Sequence, residues 1–160
     1  METEVAESQL APERRTLRRF DGDFAWDGVE TLVYKEEGEA PFSKITRQLL
    51  HSDSGLDCEL RFFDIEAGGH STLERHQHVH AVMILHGEGE CLVGDEVYQI
   101  SPHDLVTVPA MEWHQFKANA GAGLGFLCMV NRERDRPQLP SESELVQLRK
   151  YAQVASFLDS

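Results

Sequence analysis

"ILHGEGECLVGDEVYQISPHDLVTVPAMEWHQF", Ile84 to Phe116, alternates short apolar runs with tight turn chemistry. "ECLVG", "EVYQI" and "LVTVPA" have the length and β-branched content of strands. "HGEG", "GDE" and "SPHD" supply the turns between them. Pro109 ends one strand, a four-residue loop follows, and His114 begins the next, "WHQFKA". A chain that folds back on itself this often builds an antiparallel sandwich or barrel.

The same rhythm extends outward in both directions. "KITRQLL", "CELRFFDI", "HAVMILH" and "LGFLCMVN" read as further strands, with turns at "HSDSGLD", "EAGGHS" and "NAGAG". Residues 20–34, "FDGDFAWDGVETLVY", read as packed loops and short strands. After "DRPQLP" the period changes. Ser141 and Glu144 form a capping box, and Leu145, Leu148, Val154 and Leu158 form one stripe, which together predict a single helix over about 142–158. Residues 1–20 read as a solvated N-terminal arm with a basic cluster at Arg14, Arg15, Arg18 and Arg19. The expectation is one domain over 21–160.

Bulk properties exclude several classes of function. With 160 residues and a net charge of −13, the chain is too acidic for a nucleic-acid binder or a ligand of anionic membranes. No window approaches the ~20 apolar residues of a membrane span. "METEVAESQLAPERR" lacks the apolar stretch and basic start of a signal peptide. Cys58, Cys91 and Cys128 are odd in number and widely spread, which argues against a disulfide framework and for a reducing cytoplasm.

The chemistry gathers in "ERHQHVH", Glu74 to His80, and at His114. Alternate residues of a strand share a face, so Glu74, His76, His78 and His80 can converge. Imidazole and carboxylate together suit Mn, Fe, Co, Ni, Cu or Zn. Three histidines in five residues beside a glutamate favour a metal site over a polar strand edge, and His114 adds a fourth imidazole. Downstream, Leu124, Phe126, Cys128 and Val130 share another strand face. Cys128 is then either a small buried apolar residue or a thiol nucleophile activated by a nearby cation. Arg132, Arg134 and Arg136 in "NRERDR" read as a solvated segment or as an anion clamp, with Arg47, Arg61, Arg75 and Lys44 as further cations.

Ile84–Phe116 resembles the cupin superfamily: an apolar strand ending in a Gly-x-Gly turn, a "PxD" element with His103 at the usual glycine, then Pro109 and His114. The resemblance implies a jelly-roll β-barrel with its motifs over about 69–116, and a homodimer. Counting back from Gly87, it implies metal ligands Glu74, His76, His80 and His114, with His78 the alternative to Glu74. Four ligands leave two adjacent positions of an octahedral ion for a chelating substrate. "GGHSTLERHQHVHAVMILHGEG", "DLVTVPAMEWHQF" and "GFLCMVNRERDRPQLP" further resemble the cupin-type 1-methylthio-D-xylulose 5-phosphate methylsulfurylases. That implies manganese, Cys128 as acceptor of the methylthio group and glutathione as reductant. His78 or a water is then the proton donor, and the substrate phosphate is held by Arg75, Arg132, Arg134 or Arg47. The same ligand set also suits an Fe(II) dioxygenase, a sugar-phosphate isomerase or epimerase, or a binding cupin without catalysis.

Overall fold

The computed structural model describes residues 12–34 and 43–160. In chain order they form β1 (Leu32–Val33), β2 (Ser43–His51), β3 (Cys58–His70), β4 (His80–Gly87), β5 (Gly89–Val93), β6 (Glu96–Ile100), β7 (Leu105–Val108), β8 (His114–Ala118) and β9 (Leu124–Asn131), then α1 (Glu142–Leu148) and α2 (Ala152–Asp159). All strand pairs are antiparallel, in the order β6-β5-β8-β3-β9-β4-β7, with β2 and β1 branching from β3. This is an all-β jelly roll with C-terminal helices. The expected barrel does not close: among the described residues β6 and β7, the two ends of that order, do not pair, and the sheet is an open half-barrel. No helix of the described residues is long and apolar enough to cross a membrane.

Strand β3 is longer than its sequence suggests. Its "EAGGH" end, read above as a turn, continues the strand through a bend where Gly68 takes φ +75°. The bend lets one strand serve two neighbours: Cys58–Ile65 pairs with β9, and His70 pairs with Lys117 of β8. Interior residues follow from register. Arg61, Phe63 and Ile65 stand opposite Cys128, Phe126 and Leu124, while Val82 and Ile84 of β4 stand opposite Cys128 and Phe126. Their apolar side chains form the inner core, each fully buried Ile or Phe contributing roughly 1.5–3 kcal/mol.

A second core lies where the C-terminal helices cover the sheet, joining Leu92 and Trp113 to Leu148, Val154 and Phe157. The single helix expected over 142–158 is instead two helices, broken at Tyr151, whose φ −89° and ψ 119° are extended. The capping box at Ser141 and Glu144 is present. The break has a packing reason. Leu148 and Val154 are six positions apart, so a continuous helix would set them about 120° apart around its axis; the break lets both reach the same cluster. At the other end, Phe24 and Trp26 pack on Phe62 from outside the sheet. Residues 12–19 have no regular structure, and 1–11 lie outside the described residues.

The Gly87 turn is the tightest approach that positions the site strands. Gly87 has φ +77°, and a Cβ there would lie 1.7 Å from the Gly123 carbonyl oxygen. Gly87→Ala is expected to destabilise the fold by about 3 kcal/mol or more, a drop in Tm of about 6–12 °C. Thermal unfolding followed by circular dichroism checks this; an unchanged Tm would remove the constraint.

Candidate active site

Two segments meet at the mouth of the half-barrel. The Glu74 N–H donates to the His114 carbonyl at 3.2 Å, and the His114 N–H donates back to the Glu74 carbonyl at 2.9 Å. Directly opposed residues of an antiparallel pair present their side chains to one face, so the Glu74 carboxylate meets the His114 ring. His76 is held by the Met111 N–H, which donates to its carbonyl at 2.8 Å. His80 opens β4 beside the inner core.

Glu74, His76 and His114 offer ligand atoms within 4.8 Å of one another, and so do His76, His78 and His80. The ring hydrogen bonds set the tautomers. His76 Nδ1–H donates to the His78 carbonyl at 2.7 Å, and His114 Nδ1–H donates to the Glu112 carbonyl at 3.0 Å. Each ring therefore keeps Nε2 as a bare lone pair. Those lone pairs face Glu74 Oε1 at 3.9 and 3.8 Å, and His80 Nε2 lies 2.8 Å from His76 Nε2. The imidazoles are neutral there: burial, then the neighbouring imidazoles, lower His80 to about 2, and burial lowers His114 to about 4. His80 Nε2–H can donate to His76 Nε2, but the lone pair of His114 faces the Glu74 carboxylate, a repulsion that a cation held between them relieves. The donor set thus fits a divalent transition metal, with backbone carbonyls fixing the rings from behind.

His78 belongs to this cluster as well. Its ring stacks on His76 at 3.6 Å and 1°. Asp135 fixes it, accepting from the Gln77 N–H at 2.8 Å, the His78 N–H at 3.1 Å and the His78 ring at 2.8 Å. Burial opposes ionisation, but these bonds hold the Asp135 carboxyl below the usual carboxylate range. Asp135 was not marked by the sequence; it lies in the charged "NRERDR" run, where nothing distinguishes it from its neighbours.

Cys128 faces inward. It is 2% exposed, and its Sγ lies 2.9 Å from His80 Nδ1, so one imidazole touches both the thiol and the metal-type cluster. Burial pushes the thiol pKa up, while the positive charge of Arg61, which stands opposite it, and of Arg134 beyond, pulls it back. All three cysteines are free thiols; Cys91 is buried away from the pocket and raised to about 12. The pocket is lined by the four histidines, Glu74, Cys128, Arg61, Arg134 and Asp135, with apolar walls from Phe63, Val82, Phe116 and Phe126.

The other arginines have separate roles. Arg75 donates to Glu144 and Gln138 and lies over the Trp113 ring. Arg132 donates to the Asp53 and Leu56 carbonyls. Neither lines the pocket. Arg61, one basic residue among several in the sequence, is distinguished by register, since it stands opposite Cys128.

A family model described as Cupin domain matches residues 61–130. The chain is 57% identical over 145 residues to the 1-methylthio-D-xylulose 5-phosphate methylsulfurylase of Rhodospirillum rubrum, covering 91% of this chain and 93% of that one. Among solved structures, a cupin 2 conserved barrel domain protein from Rhodopseudomonas palustris superposes with a TM-score of 0.84 and 53% identity, over 89% of this chain and 98% of its own. A cupin-2 domain protein from Rhodospirillum rubrum gives 0.81 and 56%, over 91% and 97%.

His114→Ala is expected to lower bound metal about tenfold or more. Glu74→Ala should lower it more than His78→Ala does. Elemental analysis of the purified variants checks both; full retention in His114→Ala, or the reverse order of the other two, would require a different ligand set.

Proposed function

This chain belongs to the cupin superfamily as a close relative of the 1-methylthio-D-xylulose 5-phosphate methylsulfurylase, and from that premise we propose the same reaction for it. It removes the methylthio group from 1-methylthio-D-xylulose 5-phosphate and yields 1-deoxy-D-xylulose 5-phosphate. The observation that carries this reading is the buried Cys128 thiol in contact with His80, within a pocket that also holds a metal-type donor cluster. A dioxygenase or an isomerase would need the cluster but not the thiol.

Glu74, His76, His80 and His114 are the residues that would hold the ion, which we take to be manganese. The ion supplies a Lewis acid for the neighbouring carbonyl and hydroxyl oxygens of a ketose. The protein's own groups account for the remaining steps. Cys128 Sγ attacks the substrate sulfur; the S–S bond forms as the C1–S bond breaks, and the electron pair of that bond passes to C1 and the C2 oxygen. Arg61 beside Sγ favours the thiolate. His80 Nδ1, 2.9 Å from Sγ, takes the proton that the thiol gives up, and the neighbouring His78, oriented by Asp135, passes one proton to C1, so that the thiol's hydrogen is the one the product gains. The phenylalanine walls keep bulk water from the carbanion.

Cys128 is left as a methyl disulfide. A glutathione thiolate exchanges at Sγ and releases methanethiol, and a second glutathione restores the thiol and leaves as glutathione disulfide. Two thiols are oxidised to one disulfide, and the C–S bond is reduced to C–H and S–H.

Manganese-loaded protein mixed with the methylthio ketose phosphate, without a reducing thiol, is expected to gain the mass of one methylthio group at Cys128. Glutathione should remove it, and Cys128→Ser should neither form it nor keep more than roughly a thousandth of the turnover. Intact mass spectrometry checks this. Unmodified protein with intact substrate would overturn the reading and direct attention to oxygen uptake.

A further inference from the structure

Beyond Cys128 the pocket wall carries positive charge that the metal-type cluster does not use. Arg61 stands opposite Cys128 across β3 and β9 and is only 7% exposed. Arg47 does not itself line the pocket, but it stands opposite Phe63 across β2 and β3, so the two-residue period puts it on the same face as Arg61, next to the lining residue Tyr34. Arg134 comes to this wall from the segment after β9 and lines the pocket with Arg61. Arg134 is held by the Glu59 carboxylate at 3.1 Å and the Asn131 carbonyl at 2.9 Å. Arg47 and Arg61 differ: the Nε of each is buried without a hydrogen-bond partner among the described residues. Aromatic faces support them instead, Tyr34 at 5.4 Å from Arg47 and Phe63 at 5.1 Å from Arg61.

Such an arrangement is costly without a ligand. Arginine is almost never fully buried unless paired, and a buried unmet donor loses its full hydration. The two guanidiniums also repel: burial first, and Arg61 second, lower the pKa of Arg47. A dianion bridging the two forks removes both costs, because planar guanidinium donors match phosphate oxygens in pairs.

We propose that Arg47, Arg61 and Arg134 form an oxyanion subsite that takes the terminal phosphate of the ketose substrate. The identity of the anion rests on the function proposed above; the existence of the subsite does not. Carboxylates of glutathione are the other source of an oxyanion near Cys128, and the test separates the two.

Inorganic phosphate is titrated into the metal-loaded full chain by isothermal calorimetry. Binding should weaken roughly 10- to 100-fold in Arg47→Gln and in Arg134→Gln, and stay unchanged in Arg136→Gln. Arg61→Gln should behave likewise provided its thermal unfolding matches the parent; half-buried Arg47 carries the test if it does not. No phosphate binding by the parent, or equal binding by Arg47→Gln, overturns the subsite. In steady-state assays Arg47→Gln should raise the KM for the methylthio ketose phosphate by a similar factor, with half-saturating glutathione unmoved. A shift confined to glutathione would overturn the phosphate assignment. Phosphate binding lost in the variants, in a protein that does not turn over this ketose, would uphold the subsite and overturn only the proposed reaction.

Discussion

The two backbone hydrogen bonds between Glu74 and His114 hold together segments forty residues apart in sequence. Everything in the site is placed relative to that bridge. It turns the Glu74 carboxylate and the His114 imidazole to one side, and the Met111 N–H on the His76 carbonyl brings in the next ring. Asp135 closes the assembly from a third direction by gripping Gln77 and His78. Because the bridge is made of main-chain groups, the donor geometry is set by the sheet rather than by flexible side chains, which is what a metal-type site requires.

Burial then decides the chemistry of those groups. Imidazoles that titrate near neutrality in water are held neutral here, and their Nδ1 protons are committed to carbonyls on two of the rings. The same burial opposes ionisation of Cys128, and the Arg61 guanidinium beside it works in the other direction. His80 connects the two parts, with one ring nitrogen on each. A site in which one imidazole spans a donor cluster and a thiol is suited to chemistry that needs both at once.

Much of this was legible in the sequence. Strands β6 and β9 and the cores of the other long strands follow from alternation and turn residues, and the histidine-rich run Glu74–His80 with His114 stands out as a donor-rich cluster, in which the cupin resemblance implies Glu74, His76, His80 and His114. The bend at Gly68 was not legible, because a glycine pair reads equally as a turn or as a strand that changes partners. The broken C-terminal helix was not legible either: an apolar stripe reports which residues seek cover, not whether one helix can present them all to the same surface.

Local pattern therefore determined the fold family and the donor types, since both depend on short-range periodicity and residue chemistry. The tertiary structure alone decided which charges share a space. Arg61, Arg75 and Arg132 are equivalent as text. Strand register sets Arg61 beside Cys128, while Glu144 and the carbonyls of Asp53 and Leu56 occupy the other two. A side chain's partners across a sheet are a property of pairing between distant segments, and no single segment contains that information.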